Sequence, residues 1–405
     1  MKQSNDALSI WNKRVARDLE LAGAIQRSLF SDVPHFSRRF EMRIAYRTCM
    51  DVGGDAFDII SLPDGKHCVY VADVSGHGVA PAMISSLLKA TASEMIHRHA
   101  DEGPAAICNA LNAVVRRRID NPSYFATLFM AVHDPDRLEW CCMNCGHPNP
   151  VYVRNGTTVD SSLFSKGGGT PIGFPFGDEN PYSKADEVSL KDEGDTFLLL
   201  YTDGLTEARH ARTGEEFAHR IEAFYEQVVQ DPAIPNKAVA LLDAMESEDY
   251  RLGGDDCTAI SIHMLAPHKI VIEQTVPRNI YLVSEIAKQC EVAVAARGIS
   301  HHTAGLVRLL VMELGANLVE HGGLGEDDSF WLQVRVDGKV CQLVLMDEGA
   351  EWDLEEALDY EQNAAHMGER GRGLAITNTI SDRIERYRMN DENLTYCTII
   401  DQEEK

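Results

Sequence analysis

Four short segments of this chain set an aspartate beside or within three residues of glycine, at or near the end of an apolar run. They are Val52-Gly-Gly-Asp55-Ala-Phe-Asp58, Val71-Ala-Asp73-Val-Ser-Gly-His77-Gly78, Leu200-Tyr-Thr-Asp203-Gly204 and Gly253-Gly-Asp255-Asp256-Cys-Thr258. Carboxylates and backbone carbonyls are hard oxygen donors that suit Mg²⁺ or Mn²⁺. Glycine lets the adjoining backbone turn tightly and approach a metal and its waters. Aspartates converging at strand ends repel one another unless cations compensate, so the pattern points to metal. Two ions roughly 3.5–4 Å apart lower the pKa of a shared water and clamp phosphate oxygens, and hydrolysis then needs no covalent intermediate on the protein. One Asp-Gly is usually a turn. Four aspartates near glycine, each against an apolar strand, ask for more than turns.

A second set lies further along. Glu313, Asn317 and His321 are spaced i, i+4, i+8, which stacks them on nearly one face of a helix. An Asn amide oxygen there suits Mg²⁺, and a Glu can orient or deprotonate a hydroxyl or water. Leu345-Met-Asp347-Glu-Gly349 ends a strand with an acid and a glycine, a tight turn suited to the amino group of a base. Glu369-Arg-Gly371-Arg372-Gly373-Leu374 opens a helix with glycines, so backbone N–H groups would point at an anion.

The elements that must carry these groups follow from periodicity. A first helix runs to about residue 30, with Leu8, Val15, Ala22 and Leu29 at heptad spacing and Pro34 ending it. That stripe suits a short coiled-coil homodimer and equally a helix docked on its own domain. Strands are expected at Phe40–Thr48, Lys66–Val74, Phe125–His133, Leu138–Met143, Phe197–Thr202 and Thr258–Met264, with helices at Val79–His97, Pro104–Ile119, Glu215–Val229 and Lys237–Glu248. After Ala266-Pro267-His268 the chain restarts: a strand Ile270–Gln274, helices Ile280–Ala296 and Thr303–His321, a hairpin Phe330–Val336 and Val340–Met346, a helix near Leu374–Ser381, and two final strands. The reading is a helical linker (1–36), a first domain (37–266) and a second (267–405), in a mixed α+β and α/β chain.

Charge bounds the partners. The 405 residues hold 63 Asp and Glu against 38 Lys and Arg, a formal −25. Such a field disfavours nucleic acid and anionic membrane surfaces. The ten cysteines lack a disulfide-type spacing, and Cys142-Met-Asn-Cys145 has no second pair at zinc-site distance. No apolar run approaches the ~18–20 residues of a membrane span, so a cytoplasmic location is expected.

The segments DVGGDAFD, VADVSGHG, NCGHPNP, LLLYTDGLTEA and GGDDCTAI occur in the order of the PPM (protein phosphatase 2C-like) motifs and most resemble the SpoIIE and RsbU regulatory phosphatases. The resemblance covers about residues 15–265. It implies an αββα sandwich and a serine/threonine phosphoprotein phosphatase with two Mn²⁺ or Mg²⁺ ions on Asp55, Asp73, Asp203 and Asp255, plus the Val74 carbonyl. Choosing Asp255 over Asp256 rests on it. LELAGAIQRSLF resembles that subgroup's linker helix, which joins a sensor to the phosphatase. No sensor precedes it here, so the input is expected from a separate sensor or response regulator, from dimerisation, or from the other end of the chain. His77 and His147, both beside glycines, are expected to be structural.

Residues ~270–402 resemble the GHKL (Bergerat) ATP-binding fold of the anti-sigma-factor serine kinases of the RsbW and SpoIIAB type. That implies ATP with Mg²⁺ on Asn317, Glu313 as base, Asp347 against adenine, and Gly349, Gly371 and Gly373 lining the nucleotide. The last strand carries Tyr396-Cys397-Thr398 where the family often has Gly-Thr. Together the two resemblances imply opposed activities in a partner-switching pathway. A phosphorylated STAS-type anti-sigma antagonist would be the substrate and a sigma factor a further partner, or the second domain would be a binding module without catalysis.

Overall fold

The computed structural model describes residues 2–30, 33–119, 121–165, 169–175, 178–191, 194–323, 325, 328–351, 354, 373–389 and 391–402. They fall into two compact units, Met1–Gln230 with Asn236–Met264, and Asp231–Pro235 with Leu265–Lys405.

The first unit is built on two antiparallel sheets. One has the strand order His35–Phe36, Phe40–Arg47, Cys257–Met264, Thr196–Tyr201, Val151–Arg154, Thr157–Val159. The other runs Asp55–Ser61, His67–Val74, Ala126–Asp134, Glu139–Cys145, Val188–Lys191. Side chains alternate across a strand, and Thr196–Tyr201 shows why its run is apolar throughout: all six residues are buried. Leu198 and Leu200 join the core between the sheets, with Met42, Ile260 and Met130. Phe197 and Leu199 join a second core with Phe224 and Leu241, from the outer helices Ile221–Val229 and Lys237–Ser247. Helices Val79–His99 and Pro104–Arg118 cover the other sheet through Leu88, Ile96 and Leu111. The order is helix, sheet, sheet, helix.

Two expectations change. Helix was expected from Glu215, but it starts at Ile221; Phe217–His219 is a short 3-10 turn that buries Phe217, and Arg209 bridges to Glu216. The strand Asp55–Ser61 was not anticipated, because its glycine-rich approach reads as a break.

The first helix spans Lys2–Leu29 and docks on its own unit through Gly23 and Gln26, with Phe30 just beyond. Buried Gln26 donates to the Gly53 carbonyl (2.7 Å) and accepts from the Gly53 N–H (2.9 Å). The apolar stripe points elsewhere: Trp11, Ile25 and Leu29 are exposed, as is Ala22.

At one end of the second sheet, His67 lies opposite His133, and His35 comes in from the first sheet. The His35 and His67 rings are 4.9 Å apart, and Phe40 and Trp140 box His133 at 5.0 and 4.8 Å. Burial pushes His35 down to about 3 and His67 and His133 to about 4. A histidine depressed in the fold binds its proton more readily when unfolded, so its contribution to stability shrinks as pH falls below the unfolded value of about 6.5. His133→Leu removes one such group. Denaturant unfolding of the two proteins at pH 4–7 should show the wild type gaining on the variant as pH rises, by at most roughly 3 kcal/mol. A difference independent of pH refutes the assignment.

The second unit is one antiparallel sheet, ordered Ile270–Pro277, Ser329–Asp337, Val340–Asp347, Glu392–Ile400, Arg383–Met389. Helices Ile280–Ala295, His301–His321 and Gly373–Ile380 share a core with it through Val283, Leu310, Leu314, Leu374, Leu332 and Leu343. Ser300 caps the long helix by accepting from Thr303 N–H, and its hydroxyl is held by Asp401.

Candidate metal centre and nucleotide site

Asp55 opens its strand directly opposite Asp73 on the neighbouring antiparallel strand. Asp203 begins a single helical turn, Asp203–Thr206, after the strand Thr196–Tyr201, and Asp255 lies two residues before the strand Cys257–Met264. These elements come from both sheets, and their ends meet. Asp55 is 1% exposed, and its Oδ2 accepts from the Thr202 hydroxyl (2.8 Å) and the Thr258 hydroxyl (2.6 Å). Thr202 and Thr258 also bond to each other through backbone groups, Thr202 N–H to Thr258 O at 3.1 Å. Sequence reasoning passed over both threonines, although each stands next to, or three residues from, a chosen aspartate.

The electrostatics are one-sided. Burial raises Asp55 well above the usual carboxylate range, Asp73 adds to the shift, and the two hydroxyls oppose it. Asp73 is pushed up to about 7 by burial, then by Asp203, Asp255, Asp256 and Glu207. Asp203 is raised by burial, Glu207 and Asp255. Glu207 is a further acid that sequence reasoning did not single out, though it lies in the LLLYTDGLTEA motif. Acids that raise one another in this way fit divalent cations, which supply the missing positive charge.

Asp255 and Asp256 divide their work. The Asp256 carboxylate accepts from Cys49 N–H (2.8 Å) and Gly54 N–H (2.6 Å), which fixes the loop leading into Asp55. Its two oxygens are thus spent on backbone. The ligand atoms of Cys49, Asp255 and Asp256 lie within 4.8 Å of one another. Burial and then Asp256 push the Cys49 thiol up to about 11, so it stays protonated at neutral pH. Gly204 has to be glycine, because a Cβ there would sit 2.0 Å from the Asp256 carbonyl oxygen. The Val74 carbonyl faces the same loop, 3.2 Å from where a Gly54 Cβ would stand. His77 is exposed. His147 is buried behind Asp73: its Nδ1 bonds the Thr127 hydroxyl at 2.8 Å, and Thr127 pairs with Asp73 across the sheet.

In the second unit, Glu313 and Asn317 point from the helix His301–His321 toward the first turn of Gly373–Ile380. A Cβ on Gly373 would meet Glu313 Oε2 at 2.7 Å and the Asn317 amide at 3.4 Å. Asn317 Nδ2 is buried with no hydrogen-bond partner among the described residues. An orphaned amide beside a carboxylate fits a group that arrives from outside. Asp347 ends the strand Val340–Asp347 and is 3% exposed, and Gly349 N–H donates to its Oδ1 at 3.0 Å. His321, expected on the same stripe, is 76% exposed in its side chain and stands outside the site. Gly371 lies outside the described residues.

A family model described as Stage II sporulation protein E (SpoIIE) matches residues 63–265, half of the chain. The chain belongs to the SpoIIE family. A histidine kinase-like ATPase domain matches residues 276–399, so this SpoIIE-family chain is a PPM-type phosphatase domain followed by an ATPase-like domain. Protein IcfG of Synechocystis sp. is 27% identical over 196 residues, 42% of this chain and 30% of IcfG. Phosphoserine phosphatase RsbP of Bacillus subtilis is 24% identical over 194 residues, 47% of this chain and 45% of RsbP. The chain thus matches less than half the length of either relative. The SiaA-PP2C domain of Pseudomonas aeruginosa has the fold of the first unit, with a TM-score of 0.52 at 20% identity over 62% of this chain and 98% of that domain. Among the described residues no helix is long and apolar enough to cross a membrane.

The SpoIIE-family acid cluster yields a test that needs no turnover. Asp55→Asn keeps the side chain's shape and removes a charge from between other acids. In metal-free protein at pH 7–8 its melting temperature should lie above the wild type's, while the rise that Mn²⁺ gives the wild type should vanish. Differential scanning calorimetry with and without Mn²⁺ reads both. An undiminished Mn²⁺ effect in the variant would remove Asp55 from the metal site.

Proposed function

We propose that the first domain hydrolyses phosphoserine or phosphothreonine on a STAS-type anti-sigma antagonist. Asp55, Asp73, Asp203 and Asp255, with the Val74 carbonyl, would hold two Mn²⁺ or Mg²⁺ ions. The observation that carries this reading is the Asp73 carboxylate: after burial, its four largest influences are all other acids. When bound, the ions supply an activated water and draw charge from the phosphate oxygens. The chain's own part is positioning. Thr202 and Thr258 hold one oxygen of Asp55, Asp256 fixes the loop before it, and Gly204 lets the Asp203 turn pack against the Asp256 carbonyl.

The second domain binds ATP with Mg²⁺ on Asn317, with Glu313 as base, Asp347 as acceptor for the base's amino group, and Gly349, Gly371 and Gly373 along the nucleotide. It would rephosphorylate the antagonist that the first domain dephosphorylates, or sequester a sigma factor, with the exposed stripe of the first helix available for a second copy or a regulatory partner. The relative RsbP carries the printed description phosphoserine phosphatase, in keeping with the first half of this reading.

Two assays separate the halves. Asp203→Ala should lower Mn²⁺-dependent release of phosphate from a phosphorylated STAS-domain protein by at least about a hundredfold, equivalent to roughly 2.7 kcal/mol; an unchanged rate sinks the metal assignment. In that same phosphatase-silenced protein, radiolabelled ATP should transfer phosphate to the unphosphorylated antagonist, and Glu313→Gln should abolish transfer. ATP binding without any transfer would make the second domain a binding module.

A further inference from the structure

The carboxylate expected to receive the base is already taken. Asp347 Oδ1 accepts from Gly349 N–H at 3.0 Å and from Asn393 Nδ2 at 2.9 Å, Asn393 being its direct partner across the strands. Its Oδ2 faces the guanidinium of Arg386, Nη2 at 3.5 Å. The side chains of this ion pair are 4% and 0% exposed, Arg386 and Asp347 respectively. Arg386 sits on the edge strand Arg383–Met389, opposite Thr395, whose hydroxyl accepts from its Nη1 at 2.5 Å. Arg388, two residues on, donates to the Gly349 carbonyl at 3.0 Å and to Asn393 Oδ1 at 2.9 Å. The turn after Asp347 is therefore held by two arginines and an asparagine. No edge of the carboxylate meets solvent.

An adenine amino group offers the same kind of interaction that Arg386 makes, an N–H directed at a carboxylate oxygen, but without a charge. The two donors compete for Oδ2. A buried Arg–Asp pair is costly to break on one side only, because the remaining charge is left unpaired in a low-dielectric site. We propose that Arg386 is an internal competitor for the base-binding carboxylate, so that a purine nucleotide enters only when the guanidinium withdraws from Asp347. This rests on the reading that the second domain takes ATP through Asp347. Arg386 then sets the affinity for nucleotide: the domain pays the free energy of opening the pair before it gains the base contact. The effect belongs to the base end of the ligand and leaves the phosphate end untouched. ATP and ADP should share it equally, and inorganic tripolyphosphate should not feel it.

Isothermal titration of the full chain with Mg²⁺-ATP, Mg²⁺-ADP and tripolyphosphate tests the idea. Arg386→Met should bind ATP and ADP at least tenfold more tightly than the wild type, with tripolyphosphate unchanged. Arg386→Gln, which keeps a neutral donor and fills similar space, should fall between them and serves if the methionine variant does not fold. Adding Asp347→Asn to either variant should erase the gain. Equal or weaker ATP binding by both Arg386 variants overturns this inference and leaves the ATP reading intact, as does a gain that survives Asp347→Asn. No ATP binding by wild type or variants overturns both.

Discussion

A carboxylate 1% exposed and surrounded by other carboxylates is the constraint on which the first domain turns. Asp55 gives up water without an ion pair to a basic side chain among the described residues, and the hydroxyls of Thr202 and Thr258 only partly offset that cost. The rest of the local architecture serves this arrangement. The Thr202–Thr258 backbone bond joins the strand ends, Asp256 ties down the Gly53-Gly54 loop, and Gly204 permits a backbone approach that any side chain would block. The sandwich thus gathers like charge at one edge, which divalent ions bound there would compensate.

The same economy explains the paired acids in Gly-Gly-Asp-Asp. Asp256 spends both oxygens on the N–H groups of Cys49 and Gly54, whereas Asp255 gives one oxygen to the Asp256 N–H at 2.8 Å. Gln26 repeats that theme from the first helix, reading both backbone groups of Gly53, while Gly23 one turn earlier packs against the Asp51 carbonyl. Two separated parts of the chain therefore grip a loop of a few residues, and the position of Asp55 depends on both.

Much of this was legible in the residues. Apolar runs and glycine breaks located most strands, and the helix carrying Glu313 and Asn317 was visible from its spacing. Asp55, Asp73 and Asp203 were grouped on their chemistry and strand-end context, while the choice of Asp255 over Asp256 rested on resemblance. What stayed hidden was nonlocal. Thr202 and Thr258 are unremarkable residues in sequence, and only the meeting of two sheets makes them donors to one oxygen. The strand Asp55–Ser61 was masked by its glycine approach. The helix expected from Glu215 lost its first turn to the burial of Phe217. In the second domain, Asn393 and Thr395 carry no motif in the sequence, and only the strand pairing brings them against Asp347 and Arg386.

The strand Phe40–Arg47 is zipped along its whole length to Cys257–Met264, more than two hundred residues later. During synthesis the earlier strand emerges long before its partner exists. The edge of that strand that pairs with Cys257–Met264 has no partner until residue 264 has cleared the ribosome. Loop closure of that span is slow and entropically expensive. The phosphatase fold is therefore completed as its last strand emerges, when translation of the second domain is already under way. A nascent chain carries its acidic segments apart and uncompensated by any ion until that moment, which leaves it dependent on whatever shields exposed strands in the interval.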